Sequence, residues 1–316
     1  MNPHSELSLP RSARPPGQAP PEAAARASLR ARIGAYVALT KPRIIELLLV
    51  TTVPAMVLAA GGLPPLWLVT ATLIGGTLAA AGANTINCYI DRDIDEVMAR
   101  TQKRPLPRHQ VAPRHALLFG LGLAVVSFFW LWVTVNLLAA ALAEAALLFY
   151  VLVYTIGLKR FTPQNIVIGG AAGAVPALVG WAAVTGRIEA PALVLFGIVF
   201  YWTPPHFWAL ALRYEADYAA ASVPMMPVVR GIQETTKHIL LYCGLLLAVS
   251  LMLFPVARMG LLYLIAALLL NALFIAKALK LRRHPSTDNA WELFHYSIVF
   301  LALLFAAVAA DTLLQL

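Results

Sequence analysis

LWLVTATLIGGTLAAAGANTINCYIDRDID, residues 66–95, indicates both the fold class and the candidate site of this chain. It begins as an apolar run of the roughly 20 residues that a helix needs to span a bilayer, and it ends in acidic residues. At about 100° per residue, a continued helix stacks Asn84, Asn87, Asp91 and Asp95 along one face, whereas Asp93 points nearly opposite. The stretch therefore predicts a spanning helix that ends in a row of oxygen ligands, here named the ladder (Asn84, Asn87, Asp91 and Asp95).

Similar apolar runs recur along the whole chain. Of the 316 residues, 60% are hydrophobic and only 12% are charged, and the mean hydropathy is +0.75, which leaves too little polar surface for a soluble domain. The sequence lacks the alternation of an outer-membrane barrel, so we predict an all-α polytopic membrane protein. Asn136 is the predicted turn between the third and fourth spans. The nine predicted spans are 34–61, 66–90, 114–134, 137–157, 164–184, 191–212, 238–257, 259–280 and 293–314.

The positions of the positive charges indicate the membrane topology of the chain rather than nucleic-acid binding. Of the 24 Lys and Arg residues, 22 fall on the side of the N-terminus, and only Arg187 and Arg258 fall on the other side. The positive-inside rule therefore predicts a cytoplasmic N-terminus. The Pro-, Ala- and Arg-rich residues 1–32 are predicted to form a disordered cytoplasmic tail, and residues 33–316 the transmembrane domain. We expect a bacterial inner membrane, because the prolines of the tail suit a mitochondrial presequence poorly.

The ladder has the chemistry of a magnesium–diphosphate site. Mg²⁺ prefers oxygen ligands and is typically held by one or two carboxylates together with substrate phosphates. Bare aspartates would repel a diphosphate, so a metal ion has to bridge them. The simpler alternative is a helix end whose acids balance the bases of its loop. Asn84 and Asn87 favour the metal site, because unpaired amides inside an apolar span are expensive.

Basic residues follow the ladder at positions where they could grip a bound phosphate. The positive-inside rule alone also predicts bases there, so no single residue is decisive. The candidate diphosphate-binding residues are Asn84 of the ladder and Arg100, Lys103, Arg104, Lys159 and Arg160.

A second long loop, after the sixth span, is the other candidate substrate site. Its acids sit two positions apart and would splay on a helix, so this cluster is weaker by itself. Just inside the membrane, His206 is a candidate haem ligand or base, although intramembrane histidines often simply pair across helices. Pro204 and Pro205 are expected to break that helix and open room for a ligand. The second-loop candidates for substrate or metal binding are Arg213, Tyr214, Glu215 and Asp217.

Five motifs in order resemble a known family. NCYIDRDID resembles the NxxxDxxxD motif of the UbiA-like intramembrane prenyltransferase superfamily, and the other four resemble its protohaem IX farnesyltransferase (haem O synthase) branch. The resemblance runs from about residue 33 to the end of the chain. The five motifs are LTKPR (39–43), NCYIDRDID (87–95), RTQKRPL (100–106), YTIGLKRFTPQNIVIGG (154–170) and TPPHFW (203–208).

The resemblance implies nine helices around a central cavity, with farnesyl diphosphate and haem B as substrates. Mg²⁺ on Asn87, Asp91 and Asp95 would help diphosphate leave, the haem vinyl group would attack the allylic cation, and water would complete a hydroxyethylfarnesyl side chain. The product, haem O, would serve terminal oxidase assembly. Arg43 and His206 are the haem-side candidates. The superfamily's second DxxxD motif has no residue-by-residue match here, and Arg213 is a candidate partner for haem propionates.

Three other functions remain open at this point. A cation-coupled transporter could also hold Asn and Asp inside a membrane, although it would not need bases beside them on one face only. A haem-binding chaperone would use His206 but not the aspartates. A prenyltransferase with a quinone-precursor acceptor would share the diphosphate site. Membrane lipid is an expected partner, and a later haem-modifying enzyme is a further candidate.

Overall fold

The computed structural model describes residues 29–315, without the side chains of residues 43–49. Residues 1–28 of the predicted tail therefore lie outside the described residues, as does the side chain of Arg43. The described chain forms helices joined by short turns. In order, they are α1 (Leu29–Leu39), α2 (Pro42–Ala60), α3 (Leu66–Ile90), α4 (Arg92–Val97), α5 (Pro113–Thr134), α6 (Leu137–Leu148, continued by a π-helix over Phe149–Leu158), α7 (Asn165–Thr185), α8 (Ala190–Arg213), α9 (Glu215–Ala220), α10 (Met226–Val256), α11 (Leu261–Arg283) and α12 (Thr287–Leu314).

The membrane-spanning character of the chain follows from these helices. Within residues 29–315, eight helices are long and apolar enough to cross a membrane: α3, α5, α6 with its π extension, α7, α8, α10, α11 and α12. Helix α2 adds a shorter apolar stretch, Val50–Ala60, at the place of the first predicted span. The all-α polytopic class is therefore confirmed. The cytoplasmic N-terminus stays a prediction.

Two predicted spans differ from the structure. The first, 34–61, is wrong as one helix, because the chain turns at Thr40 and Lys41, where Lys41 has a left-handed φ of 54°. Proline disfavours helical geometry in the residue before it, so Pro42 starts a new helix. The seventh, 238–257, begins too late: α10 starts at Met226 and is interrupted at Gly231, whose φ is 73°. The hydropathy pattern did not indicate the first turns of α10, because many of their residues are polar.

The expected break at Pro204 and Pro205 is also wrong. Helix α8 continues through both residues to Arg213, and both are buried against neighbouring helices. A proline removes one backbone donor, but membrane helices tolerate this loss where neighbours and local adjustments compensate for it. The two prolines therefore belong to the packed interior rather than to an opening in the helix.

The fourth predicted span has the expected start and an unexpected end. Asn136 is the predicted turn: its side chain accepts a hydrogen bond from Ala139 N and donates one to Ala182 O, both at 2.8 Å. From Phe149 to Leu158 the winding becomes a π-helix. Such stretches are rare and are frequent at functional sites. This one ends directly before Lys159, beside the ladder.

Helices α3 and α5 approach closely through glycine. A Cβ atom added to Gly82 would lie 2.9 Å from the backbone oxygen of Gly120 and 3.2 Å from the backbone nitrogen of Ala124. Small residues at such crossings allow the close packing that stabilises membrane helix pairs. This crossing fixes α3, and with it the ladder, against α5.

We predict that Gly82→Ala destabilises the protein by about 1–3 kcal/mol, because backbone atoms cannot give way to the new methyl group. Gly76→Ala in the same helix is the matched control, since its Cβ would meet nothing within 4 Å. The control is expected to be neutral or slightly stabilising. Thermal unfolding in detergent measures both changes, and equal stability of the two variants would contradict the proposed crossing.

Candidate active site

The ladder lies on one face, as helical periodicity predicts. Helix α3 ends at Ile90, but its hydrogen bonding continues, with Asp91 N donating to Asn87 O at 2.9 Å and Asp95 N to Asp91 O at 2.8 Å. All four ladder residues are buried, with exposures from 0% for Asp91 to 6% for Asn84. The Asp93 side chain, in contrast, is 61% exposed. Asp91 and Asp95 are therefore buried, whereas Asp93, which lies between them in the sequence, is at the surface.

Asp91 is fully buried and holds the centre of the site. Its Oδ2 atom accepts from Lys159 Nζ at 2.5 Å and from Asn87 Nδ2 at 2.7 Å. Its Oδ1 atom has no hydrogen-bond partner, although the nearest guanidinium nitrogen of Arg160 lies 3.7 Å away. A buried carboxylate oxygen without a partner is costly, so this atom is available to a ligand.

Asp95 forms the second buried ion pair. Both of its oxygens accept from Arg104 Nη1 at 2.7 Å, and the side chains are 3% and 25% exposed. Burial opposes the charge on Arg104, but Asp95 holds the pKa of the guanidinium above its ordinary value. The loop after α4 therefore folds back to neutralise the outer end of the ladder.

The amides connect the ladder to neighbouring elements. Lys41 Nζ donates to Asn87 Oδ1 at 2.6 Å, and Asn87 Nδ2 also donates to Thr155 Oγ1 at 3.1 Å. Asn84 Nδ2 donates to the backbone oxygen of Thr40 at 3.0 Å. Lys41 enters the sequence analysis only as part of the motif LTKPR (39–43), and the contact with Thr155 is not predicted there. Its sole signal was its place in the motif at 154–170, since its spacing along the chain reveals no link to Asn87.

Arg160 pairs with the acid that points away from the ladder. Its guanidinium donates to both oxygens of Asp93 at 2.6 and 2.7 Å and to Ile90 O at 3.2 Å. The hydrogen bonds from Arg160 lower the pKa of Asp93 to about 2, so this acid is ionised at neutral pH. A cleft of about 390 Å³ opens beside this pair. Arg160 thus stands at the border between the buried acids and the surface.

The second loop contacts the first through Arg100. Its backbone N–H donates to Asp217 Oδ2 at 3.2 Å, and its guanidinium lies over the Tyr214 ring, 5.3 Å from the centroid. Glu215 is exposed, whereas Asp217 is half-buried. Lys103 is exposed as well. The structure therefore brings Arg100, Tyr214 and Asp217 together and leaves Glu215 and Lys103 at the surface.

Arg213 and His206 face α12 instead. Arg213 lies over the Trp291 ring at 5.3 Å and 3.9 Å from Asp288. The His206 ring is buried, shares a 2.7 Å hydrogen bond between its Nδ1 atom and Ser297 Oγ, and stacks 4.7 Å from Phe294. These contacts are typical of a histidine that pairs helices, and they leave only Nε2 as a ligand atom.

The donor set at the ladder fits Mg²⁺. Among the described residues, no three His, Cys, Asp or Glu side chains cluster as metal ligands. Mg²⁺ does not require such a cluster, because one or two carboxylates with substrate phosphates and waters are typical. The buried Oδ1 atom of Asp91, which lacks a hydrogen-bond partner, is the observation that favours a cation here. Asn87, Asp91 and Asp95 are the residues that would hold it.

Burial predicts different stabilities for the two Asp–Arg pairs, Asp95–Arg104 and Asp93–Arg160. In metal-free detergent solution we expect Asp95→Asn to destabilise the protein by about 3 kcal/mol, because it leaves the mostly buried Arg104 unpaired. Asp93→Asn should change stability by no more than about 1 kcal/mol, because solvent screens its exposed pair. Chemical denaturation compares the two variants. Equal losses would show that burial does not decide the strength of these pairs.

Comparison with known proteins places this geometry in a family. A sequence profile described as the UbiA prenyltransferase family matches residues 48–304. The protoheme IX farnesyltransferase of Parafrankia sp. (strain EAN1pec) is 54% identical over 92% of this chain and 93% of its own length. That of Frankia alni is 53% identical over 89% and 98%, and that of Clavibacter michiganensis subsp. michiganensis 55% identical over 89% and 92%.

Solved structures share the fold. A digeranylgeranylglyceryl phosphate synthase superimposes with a TM-score of 0.74 at 18% identity, covering 90% of this chain and 99% of its own. A UbiA homolog from Archaeoglobus fulgidus, bound to DMAPP and Mg²⁺, gives 0.63 at 18% identity over 87% and 99%. With the profile match and the close curated relatives, these findings show that the chain belongs to the UbiA prenyltransferase family and, within it, to the protoheme IX farnesyltransferases.

Proposed function

We propose that this chain transfers the farnesyl group of farnesyl diphosphate to a vinyl group of haem B, with Mg²⁺ at the ladder and with addition of water, to give haem O. The names of the close relatives support the reaction and both substrates. The relative from Archaeoglobus fulgidus with bound DMAPP and Mg²⁺ supports a metal-dependent diphosphate site. The observation on this chain that carries the proposal is the buried Asp91 Oδ1 atom, which has no hydrogen-bond partner.

The ladder and its cations would exchange partners when substrate binds. In the structure described here, Lys159 and Arg104 neutralise Asp91 and Asp95. Asp91 and Asp95 would hold Mg²⁺ when it is bound, and the metal would supply electrostatic stabilisation of the diphosphate. Lys159 and Arg104 would then be free to donate to the diphosphate, with charge-assisted hydrogen bonds that strengthen as negative charge develops on the leaving group. Lys41, which donates to Asn87, would add a third cationic group to the site.

The proposed reaction needs only farnesyl diphosphate, haem B and water as reactants. The bond between C1 of the farnesyl group and the diphosphate oxygen breaks, and the diphosphate keeps the electron pair. The haem vinyl group donates its π electrons to C1, forming a carbon–carbon bond and leaving a cation on the vinyl side. Water adds to that cation and loses a proton, which gives the hydroxyethylfarnesyl side chain. Apolar helix surfaces around the allylic cation would keep water away until this last step.

The remaining candidates have supporting roles. Arg100, Lys103 and Arg160 would attract the diphosphate from the loops, and Tyr214, Glu215 and Asp217 would shape the second side of the site. Arg43, Arg213 and His206 are retained as haem-side candidates, with Arg213 as a partner for propionates. We place the ladder at the cytoplasmic face of a bacterial inner membrane, with a later haem-modifying enzyme as the recipient of the product.

The first test asks whether farnesyl transfer needs the Asp91 carboxylate itself or only negative charge in this region. Asp91→Asn is expected to lower the rate of farnesyl transfer on the order of 100-fold or more, because it removes a ligand charge that supports departure of the diphosphate. Glu96→Gln is the matched control, since Glu96 is exposed next to Asp95. The rate is measured in membranes with farnesyl diphosphate, haem B and Mg²⁺. Unchanged activity of Asp91→Asn would refute the assigned role.

The second test identifies the acceptor. Membranes that contain the protein are incubated with farnesyl diphosphate and Mg²⁺, and with either haem B or a hydroxybenzoate. We expect a product with the mass of haem B plus a farnesyl group and a hydroxyl group, and none with the hydroxybenzoate. Product with the hydroxybenzoate alone would contradict haem as the acceptor. Uptake of substrate into vesicles without any product would favour a transporter.

A further inference from the structure

The cleft beside Arg160 has no assigned role. Its volume of about 390 Å³ is enough for about a dozen water molecules and therefore for a small hydrated anion. One wall is formed by Asp93, Ile94 and Val97 around α4, and the other by residues 220–223 at the end of α9. The cleft thus lies between the two long loops, on the side of the ladder that faces the aqueous phase.

Arg160 separates this cleft from the buried acids. The same guanidinium binds Asp93, which lines the cleft, and lies 3.7 Å from the partnerless Oδ1 atom of Asp91. The exposed fraction falls from 61% for the Asp93 side chain, through 32% for Arg160, to 0% for Asp91. Arg160 therefore has a carboxylate on each side, Asp93 toward the cleft and Asp91 toward the interior.

Diphosphate needs an aqueous route out of the site. A free polyanion cannot leave through hydrocarbon, where an unpaired charge is far too expensive. The other ladder acid, Asp95, is covered by its buried pair with Arg104. The border at Arg160 is only partly covered, and it opens into a cleft of sufficient size.

We propose that the cleft between α4 and residues 220–223 is the exit route for inorganic diphosphate, and that Asp93 competes with the departing anion for Arg160. This proposal rests on the proposed function, because it requires diphosphate at the ladder. Arg160 follows the anion toward the cleft, and Asp93 then takes back the guanidinium. Without Asp93, Arg160 would keep the anion longer.

Release of labelled inorganic diphosphate from the purified full-length protein in Mg²⁺ tests this route without any prenyl transfer. Ala220→Trp fills the cleft from its α9 wall and should slow release at least about tenfold. Ala219→Trp is the matched control, since Ala219 is exposed and does not line the cleft; it should release diphosphate at the wild-type rate. Asp93→Asn should slow release up to about fivefold, which corresponds to about 1 kcal/mol.

The outcomes separate this proposal from the proposed function. Wild-type release rates in both Ala220→Trp and Asp93→Asn, with diphosphate binding intact, would overturn the exit route alone. Equal slowing by Ala219→Trp and Ala220→Trp would also overturn it, because the effect would then not come from the cleft. Failure of the wild-type protein to bind diphosphate in Mg²⁺ would contradict the proposed metal–diphosphate site as well.

Discussion

This site depends on one constraint: two carboxylates that have no access to water must be neutralised by the protein. Asp91 and Asp95 are almost completely buried, and an unpaired charge in such a place would be prohibitively unstable. The structure meets the constraint with Lys159 and Arg104, which come from different loops. Lys159 joins Asp91 across 68 residues of sequence, whereas Arg104 folds the loop after α4 back onto Asp95, nine residues away. The loops are therefore held in place by the same charges that serve the site.

This arrangement gives the site two ways to be neutral. Without ligands, the acids and bases neutralise one another. With Mg²⁺ and a diphosphate, the metal would satisfy the acids and the anion would satisfy the bases, so the protein need not create new charge to bind them. The Asp91 Oδ1 atom has no hydrogen-bond partner, and the guanidinium of Arg160 lies 3.7 Å from it. A bound metal ion would give this oxygen a closer partner.

Much of this architecture follows from short-range rules. The 3.6-residue period places the ladder on one face and Asp93 on the other, and hydropathy locates the long helices. Other features depend on tertiary contacts that no local pattern encodes. Thr155 contacts Asn87 from within the π-helix, 68 residues away in sequence, and Lys41 does so from the turn before α2. The predicted helix break at Pro204 and Pro205 was wrong for the same reason, because contacts with neighbouring helices keep α8 continuous through both residues.

The central claim is that the ladder binds a diphosphate through Mg²⁺, and its most direct test is a binding titration. Farnesyl thiodiphosphate, which resists cleavage, is titrated into the purified protein with Mg²⁺ and again with excess EDTA. The account predicts that removal of the metal weakens binding by about 100-fold or more, a difference of about 2.7 kcal/mol. The same affinity in both titrations would contradict it, because the bases alone would then suffice to hold the diphosphate.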